Sequence, residues 1–300
     1  MTKENCILEG PRREDVARIG GLTGRRPIRF RRAAGGYTAA ERWVVDFEGG
    51  PGAFAKIGVD PLTAGWLRQE HRAYGALDGD FMPELQGWDD GERPLLLLEN
   101  LSGCFWPPPW DAGKVDRVLE AFARLQAADP RHLSPLDSAG SGLAGCWHGV
   151  AEEPGPFLSL GLATGRWLRD SVPVLAAAAD EAVIQGSFPT HLDVRSDNLC
   201  IRGGRAVLVD WNQACLAHPD LDLAGWAPSL HAEGGPAPEE ILPGRGPLAA
   251  VISGYFASRA GKPIIPAAPR VRQVQRQQLG TSLPWAVRAL GLPPLDGPAA

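Results

Sequence analysis

The segment THLDVRSDNLCIRGGRAVLVDW, residues 190–211, concentrates side chains whose types and spacing could do chemistry. Asp193 and Asp210 supply carboxylates, and Asn198 supplies an amide carbonyl oxygen. Hard oxygen ligands of this kind suit Mg²⁺, which also keeps water and substrate phosphate among its ligands. We therefore expect Asn198 and Asp210 to bind a metal ion and Asp193 to remain free for proton chemistry.

Two short apolar runs must position these side chains. The runs LCIR and AVLVD are joined by Gly203 and Gly204, a combination that predicts a β-hairpin. Such a hairpin brings Asn198 and Asp210 to the same end, and Asp193 lies on the loop just before it. The alternative is a surface loop of capping polar residues, because Asp and Asn are common in turns.

Composition limits the class of protein. A chain of 300 residues is too long for one small core and suits one large domain or two lobes. Its 44% hydrophobic and 22% charged residues are typical of a folded soluble protein, and a net charge of −5 argues against nucleic acid as a partner. No apolar run approaches the ~18 residues of a membrane span, and the N-terminus has no apolar signal core. We expect a cytoplasmic protein with no membrane partner.

Cysteine and histidine spacing indicates neither a zinc site nor a disulfide framework. The five cysteines are scattered, no pair has CxxC spacing, and no two histidines have HxxxH spacing. His191 is therefore expected to pack the loop that carries Asp193 rather than to bind a metal ion.

The first third of the chain has the pattern of strands and turns. Residues 27–47 predict two strands around the Gly35-Gly36 turn, AFAKIGV predicts a strand that carries Lys56, and RPLLLLENL predicts a buried strand. Between the strand that carries Lys56 and the buried strand, apolar residues have helical spacing, which places Glu70 on a helix.

The later part has the pattern of helices, which predicts an α+β fold with a strand-rich lobe over residues 1–98 and a larger helical lobe over residues 99–300. Residues 130–165 are rich in Gly, Pro and Ser and are expected to form a loop. The predicted helices cover residues 111–129, 166–186 with a break near Pro173, 221–231, 246–260 and 269–290.

The motifs occur in an order that resembles the protein-kinase-like phosphotransferases. HLDVRSDN matches the H-x-D-x-x-x-x-N of their catalytic loop, and VDW stands where protein kinases have DFG. The later stretch HPDLDLAGW makes the resemblance stronger to the aminoglycoside phosphotransferase and choline kinase branch. That branch implies a two-lobed kinase-like fold and the hydroxyl of a small molecule as phosphoryl acceptor.

The resemblance also implies a binding site for ATP or GTP. Lys56 would contact the α and β phosphates, with Glu70 holding its ammonium in place. The backbone C=O of Glu99 and N–H of Leu101 would contact the adenine edge. The Gly35-Gly36 turn lies where the family covers the phosphates, although a plain hairpin turn explains two glycines about as well.

The same resemblance gives roles to the catalytic segment. Asp193 would orient the acceptor hydroxyl and accept its proton, while Asn198 and Asp210 would carry Mg²⁺. Asp222 in DLDLAGW would brace the catalytic loop. Arg195 stands where Ser/Thr protein kinases have a lysine, and we expect it to neutralise charge on the γ-phosphate during transfer; the alternative is an exposed loop arginine.

The identity of the acceptor remains open at this point. Acidic and basic residues are nearly balanced after residue 98, which weakens the case for a polycationic aminoglycoside without excluding a local cluster such as Glu239 and Glu240. Most of the ten tryptophans should be core, but any that line the pocket would favour a flatter, less charged acceptor such as a nucleoside, a macrolide or another hydroxylated natural product.

Two other functions remain as alternatives. The chain could be a nucleotide-binding or scaffold protein that has kept the fold and lost turnover. It could also be a protein kinase, but it has neither DFG nor an APE-like segment after Asp210.

Overall fold

The structure is a computed structural model that describes residues 10–33, 38–137, 142–266 and 268–297. Gly35 and Gly36 lie outside the described residues. The early part contains α1 (Arg13–Thr23), β1 (Pro27–Arg32), β2 (Glu41–Phe47), β3 (Ala53–Ile57), α2 (Pro61–Ala76), β4 (Leu85–Asp89) and β5 (Leu95–Glu99).

The five strands form one antiparallel sheet in the order β1-β2-β3-β5-β4. Alternation along β3 separates its two faces: Ala53, Ala55 and Ile57 are fully buried with Ile19 of α1, whereas Phe54 and Lys56 belong to the other face, which α2 covers. Because both faces are covered, the apolar run of β5 is buried throughout. The strand predictions for this region are confirmed.

Helix α2 begins at a capping box. The carboxylate of Asp60 accepts a hydrogen bond from the Thr63 N–H at 2.8 Å, and the Thr63 hydroxyl lies 3.1 Å from the Asp60 backbone nitrogen. Pro61 occupies the first helical position, where a missing N–H costs nothing. This start fixes the rotation of α2 about its axis and so directs Glu70 towards β3.

The later part of the chain is mainly helical and forms the larger lobe. Its elements are α3 (Ala112–Ala127), α4 (Cys146–Glu152), α5 (Gly155–Leu158), α6 (Gly165–Glu181), β6 (Phe188–Thr190), β7 (Leu199–Arg202), β8 (Arg205–Leu208), β9 (Cys215–Ala217), α7 (Leu221–Ala232), α8 (Pro238–Ile241), α9 (Gly246–Ala260) and α10 (Val271–Ala289). The α+β, two-lobed fold is as predicted.

Two small antiparallel ribbons carry the segment that contains Asp193, Asn198 and Asp210. Strands β7 and β8 pair as the predicted hairpin, turning at Gly203 and Gly204, whose φ angles of 55° and 79° favour glycine. Strands β6 and β9 pair beside it, with Thr190 opposite Cys215. The loop between β6 and β7 therefore has both of its ends held by strands.

The structure corrects three predictions about helices. Helix α1 lies in a region where only strands and turns were expected, and α4 and α5 lie inside the expected loop 130–165. Helix α6 runs through Pro173 without a break. Pro173 and Arg169 are both exposed, so water can hydrogen-bond the Arg169 carbonyl that the proline leaves without a helical partner.

Most of the tryptophans of the helical lobe are core residues, as expected. Trp147, Trp211, Trp226 and Trp285 are at most 1% exposed. Over the described ranges, no helix is both long and apolar enough to cross a membrane.

Candidate active site

The loop from β6 to β7 is braced by two buried side chains. The carboxylate of Asp222, near the start of α7, accepts hydrogen bonds from the backbone N–H groups of His191 at 2.8 Å and Leu192 at 2.7 Å. These bonds stabilise the left-handed backbone of Leu192, whose φ is 63°. The predicted bracing role of Asp222 is confirmed.

His191 is fully buried and links the loop to the chain just before Asp210. Its Nε2 lies 2.9 Å from the Val209 carbonyl oxygen, which can only accept, so Nε2 carries the proton. The Asp193 backbone N–H donates to Nδ1 at 3.2 Å. The neutral ring therefore positions Asp193, and burial lowers its pKa below the usual 6.5, although the carboxylates of Asp222 and Asp210 act in the opposite direction.

We predict that this histidine makes the fold sensitive to acid. Because the unfolded chain binds the proton more readily, stability supplied by neutral His191 is present above about pH 6.5 and is lost as the pH falls. The free energy of unfolding should drop by up to about 1.4 kcal/mol per pH unit on this account. Urea unfolding between pH 7.5 and 5.5 measures the slope, and His191→Gln, which cannot titrate, should flatten it. Equal slopes for the two proteins would contradict the prediction.

Asp193 lies where two side chains hold its carboxylate. Arg195 Nη1 donates to Oδ1 at 2.6 Å, and Asn198 Nδ2 donates to Oδ2 at 3.0 Å and to the Asp193 backbone oxygen at 2.8 Å. Burial, together with the nearby carboxylates of Asp210 and Asp197, raises the pKa of Asp193. Arg195 and Asn198 act in the opposite direction, but their effect is smaller. A third of the side-chain surface is still exposed, so a substrate can reach the carboxylate.

Lys56 and Glu70 form a buried ion pair between β3 and α2. The ammonium lies 2.8 Å from both Glu70 carboxylate oxygens, and the two side chains are 8% and 2% exposed. Lys56 also lies 3.1 Å from Asp210 Oδ1, across the two lobes. Burial lowers the pKa of Lys56, but Asp210 and Glu70 together raise it above its usual value.

Asp210 follows strand β8 with a left-handed backbone, φ 70° and ψ 58°. That conformation is uncommon outside glycine but enriched for aspartate and asparagine. Burial would raise the pKa of Asp210, yet the charge and hydrogen bond of Lys56 and the charge of Arg42 bring it below its ordinary value. The carboxylate is therefore ionised at neutral pH and available to a cation.

A cavity of about 870 Å³ collects these side chains between the lobes. It is lined by Lys56, Asp193, Asn198 and Asp210, and by both residues expected to contact the base, Glu99 and Leu101. Glu70 does not line the cavity itself, but it accepts a hydrogen bond from Lys56, which does. Apart from Gly35 and Gly36, the predicted nucleotide and metal residues are thus brought together.

A second cavity of about 420 Å³ lies on the other side of Asp193. Asp193, Arg195, Gln213 and Val271 line both cavities, so they stand at the junction. The remaining wall of the second cavity comes from the helical lobe, including α9 and α10. One carboxylate thus faces two adjoining binding spaces.

Sequence reasoning missed Arg42 on β2. It is directly opposite Lys56 in the β2–β3 register and lines the large cavity, with its guanidinium hydrogen-bonded to the backbone oxygen of Ala40 at 3.0 Å. The signal that could have found it is the strand pairing: in an antiparallel hairpin, the residue opposite Lys56 shares its face of the sheet. A second cation beside Lys56 suits a polyphosphate.

Asn198 and Asp210 fit a magnesium ion in chemical type. The Asn198 amide nitrogen is used by Asp193, which leaves its Oδ1 as the atom able to bind a metal, and the Val209 N–H donates to the Asn198 backbone oxygen at 2.9 Å. This bond holds the start of β7 close to Asp210. Across the described part of the chain, no group of three or more His, Cys, Asp or Glu side chains forms a metal cage. Two protein ligands with water and phosphate oxygens are the usual set for Mg²⁺.

Comparison with known proteins identifies the fold. No protein-family model matches the chain, and no curated protein matches its sequence. A thermostable mutant of an aminoglycoside phosphotransferase, solved with AMP-PNP and hygromycin B, superposes with a TM-score of 0.59 at 12% identity, covering 92% of this chain and 97% of that one. A choline/ethanolamine kinase family protein from Mesorhizobium loti superposes with a TM-score of 0.58 at 15% identity, covering 93% and 96%.

A spectinomycin phosphotransferase solved with ADP and spectinomycin superposes with a TM-score of 0.56 at 10% identity, covering 95% of this chain and 100% of that one. The similarity to each of these structures extends over both lobes. The chain therefore has the two-lobed, kinase-like fold of small-molecule phosphotransferases. At the level of the fold, the resemblance predicted from the motif order is confirmed.

Proposed function

We propose that the protein is a nucleotide- and Mg²⁺-dependent O-phosphotransferase that moves a γ-phosphoryl group to a hydroxyl of a small molecule. The observation that carries the proposal is the position of Asp193 between two adjoining cavities, one of which also holds Lys56, Asn198 and Asp210. Solved proteins of the same fold hold AMP-PNP with hygromycin B, or ADP with spectinomycin, which supports the same division of the two spaces here.

The larger cavity is proposed to bind ATP or GTP. Lys56, oriented by Glu70 and supported by Arg42, contacts the α and β phosphates, and the backbone of Glu99 and Leu101 contacts the base. The strand-rich lobe, residues 1–98, supplies the phosphate contacts, while residues 99–300 supply the rest of the site. The ion pair at 2.8 Å fixes the ammonium before the nucleotide arrives, so little ordering is left to do on binding.

Asn198 Oδ1 and the Asp210 carboxylate are proposed to hold Mg²⁺. The ion would supply charge neutralisation for the phosphate oxygens. Lys56 lies 3.1 Å from Asp210 and restrains that carboxylate at the edge of the cavity. Asn198 is restrained in turn by its two hydrogen bonds to Asp193. Asp193 and the two proposed metal ligands therefore keep fixed positions relative to one another.

Asp193 is proposed to orient the acceptor hydroxyl and to accept its proton. The hydroxyl O–H donates to a carboxylate oxygen, and the hydroxyl oxygen then faces the larger cavity. The raised pKa of Asp193 makes it a stronger base than an exposed aspartate, which favours proton acceptance near neutral pH. Positioning and charge neutralisation supply the rest of the catalysis.

Arg195 is proposed to neutralise charge on the phosphoryl group as it transfers, because it lines both cavities and already contacts Asp193. We expect Arg195→Ala to lower kcat by up to ~10³-fold, the contribution of an arginine that stabilises such a transition state. The matched control is Arg166→Ala on α6, whose side chain is 86% exposed and which should keep wild-type kcat. A kcat for Arg195→Ala within about twofold of wild type would show that Arg195 has no such role.

Release of ADP or GDP in the presence of Mg²⁺ tests the proposed function. ATP and GTP are offered with a panel of hydroxylated antibiotics and metabolites, and Asp193→Ala serves as the inactive variant. Release that depends on the acceptor and disappears in the variant supports the proposal. Tight Mg²⁺-ATP binding without any acceptor-dependent release would favour a catalytically silent nucleotide-binding protein. Phosphorylation of a protein substrate instead would favour the protein kinase alternative.

A further inference from the structure

We propose that the acceptor is an uncharged, hydroxylated molecule with an apolar face, and that Gln278 selects it. The inference rests on the proposed function, because it takes the smaller cavity of about 420 Å³ as the acceptor site.

The charges around the smaller cavity do not suit a polycation. Of the described residues that line it, Asp193 is the one carboxylate and Arg195 the one cation, and the two are paired at 2.6 Å. An ammonium group placed in this cavity would lose water without gaining a carboxylate of its own, which is costly. Several ammonium groups on one molecule would multiply that cost.

The acidic cluster that could have recognised a cation lies elsewhere. Glu239 contacts Arg288 at 2.7 Å, and Glu240 accepts a hydrogen bond from the Ala237 N–H at 2.8 Å. Neither side chain lines the smaller cavity. Both carboxylates already have local roles, so the possible aminoglycoside-binding cluster suggested by the sequence does not form at this site.

The wall of the smaller cavity is largely apolar. Leu192, Ile252, Phe256, Val271 and Val274 contribute to it, from the catalytic loop, α9 and α10. Tryptophans in the acceptor pocket would have favoured a flat acceptor, but none is among the described residues that line this cavity. Its aromatic side chains are those of Tyr255 and Phe256. Contact with such a wall stabilises a ligand in proportion to the apolar area that it covers.

One buried glutamine on α10 borders this space and has a side-chain oxygen without a partner. Gln278 lines the cavity, is 8% exposed, and its Oε1 has no hydrogen-bond partner. Its neighbour Gln275 differs, because Arg272 donates to Gln275 Oε1 at 2.8 Å. A buried carbonyl oxygen without a partner is unfavourable, and a hydroxyl donated by a ligand would satisfy it. An oxygen that accepts a hydrogen bond selects a neutral hydroxyl without requiring a charge.

Equilibrium binding to the full chain with AMP-PNP and Mg²⁺ tests the inference by two probes. Hexyl β-D-glucopyranoside is neutral, hydroxylated and apolar at one end, and hygromycin B is an aminoglycoside with ammonium groups. We expect the glucoside to bind at least tenfold more tightly. Tighter or equal binding of hygromycin B would overturn the inference, and so would failure of both probes to bind.

Gln278→Leu separates a ligand contact from a structural role. The variant should weaken glucoside binding by ~5-fold, the effect of one neutral hydrogen bond, while the melting temperature of the free protein stays the same or rises. The matched control is Ser282→Ala on the same helix, whose hydroxyl is also buried without a partner but does not line the cavity. It should leave affinity unchanged. Unchanged affinity in Gln278→Leu would overturn the role of Gln278.

Failure of this inference is distinct from failure of the proposed function. Binding of the probes reports only on the chemistry of the acceptor cavity and needs no turnover. Loss of the proposed function would instead appear as an absence of nucleotide binding, or as bound nucleotide that is never consumed with any acceptor.

Discussion

Replacing Asp193 by asparagine is expected to lower kcat for acceptor phosphorylation by ~10² to 10⁴-fold, the usual contribution of a positioned general base. Asparagine keeps the size of the side chain and can still accept a bond from Arg195, and Asn198 keeps its bond to the backbone oxygen of residue 193, so the loop should retain its shape. The amide cannot accept a proton from the acceptor hydroxyl. Steady-state release of ADP measures kcat, and calorimetric titration with Mg²⁺-AMP-PNP should give a dissociation constant within a few-fold of wild type.

The control for this substitution is Asp180→Asn. Asp180 is 55% exposed on α6, where it contacts His148, and it lines neither cavity. It should keep wild-type kcat. If Asp193→Asn retained kcat within threefold, or if it lost nucleotide binding and activity together, the assignment of Asp193 as the proton acceptor would be wrong.

Replacing Lys56 by methionine is expected to remove nucleotide binding and to destabilise the fold by about 3–5 kcal/mol. The substitution leaves the Glu70 carboxylate, 2% exposed, without the ammonium that lies 2.8 Å away in the native structure. A buried charge that loses its partner is far more costly than the pair itself was stabilising. Urea unfolding gives the free energy of unfolding, and titration with Mg²⁺-AMP-PNP gives the affinity.

The double variant Lys56→Met with Glu70→Leu separates the two effects. Apolar residues of similar size can replace a buried ion pair at little cost, so stability should recover most of its loss. Nucleotide affinity should stay low, because the cation proposed to contact the phosphates is still missing. A double variant that binds nucleotide as well as wild type would contradict the role of Lys56, and one as unstable as the single variant would contradict the energetic argument.

The parts of the site that follow from local chemistry could be predicted from the sequence. Lys56 and Asp210 are 154 residues apart, yet each stands on or just after a strand whose apolar pattern is clear, and the structure places them 3.1 Å from each other. The hairpin at Gly203 and Gly204 was equally predictable, because two glycines between short apolar runs permit the left-handed turn.

Other features depend on tertiary contacts that no local pattern shows. Helix α1 contains Gly20 and Gly21, each costing about 1 kcal/mol relative to alanine, so its propensity is poor. It forms because Ile19 is fully buried against the sheet and Asp15 contacts Arg93 at 3.2 Å.

The smaller cavity, proposed to bind the acceptor, was also beyond sequence reasoning. Its wall joins the catalytic loop to α9 and α10, which lie more than fifty residues later. One face of α10 carries four cavity residues at 3,4 spacing, Val271, Val274, Gln275 and Gln278. Two glutamines on a helix face normally indicate that this face is exposed to solvent. Only the folded chain shows that Gln278 is buried and lacks a partner for Oε1.

The most direct test of the central claim is transfer of radiolabel from [γ-³²P]ATP to a hydroxylated small molecule in the presence of Mg²⁺. Labelled product is counted against the ADP released. The account predicts one labelled product for each ADP formed above the rate without acceptor, and labelled product formed at least ~10²-fold more slowly with Asp193→Asn. Bound ATP that yields no labelled product with any acceptor, or product formation in Asp193→Asn within about threefold of the wild-type rate, would contradict it.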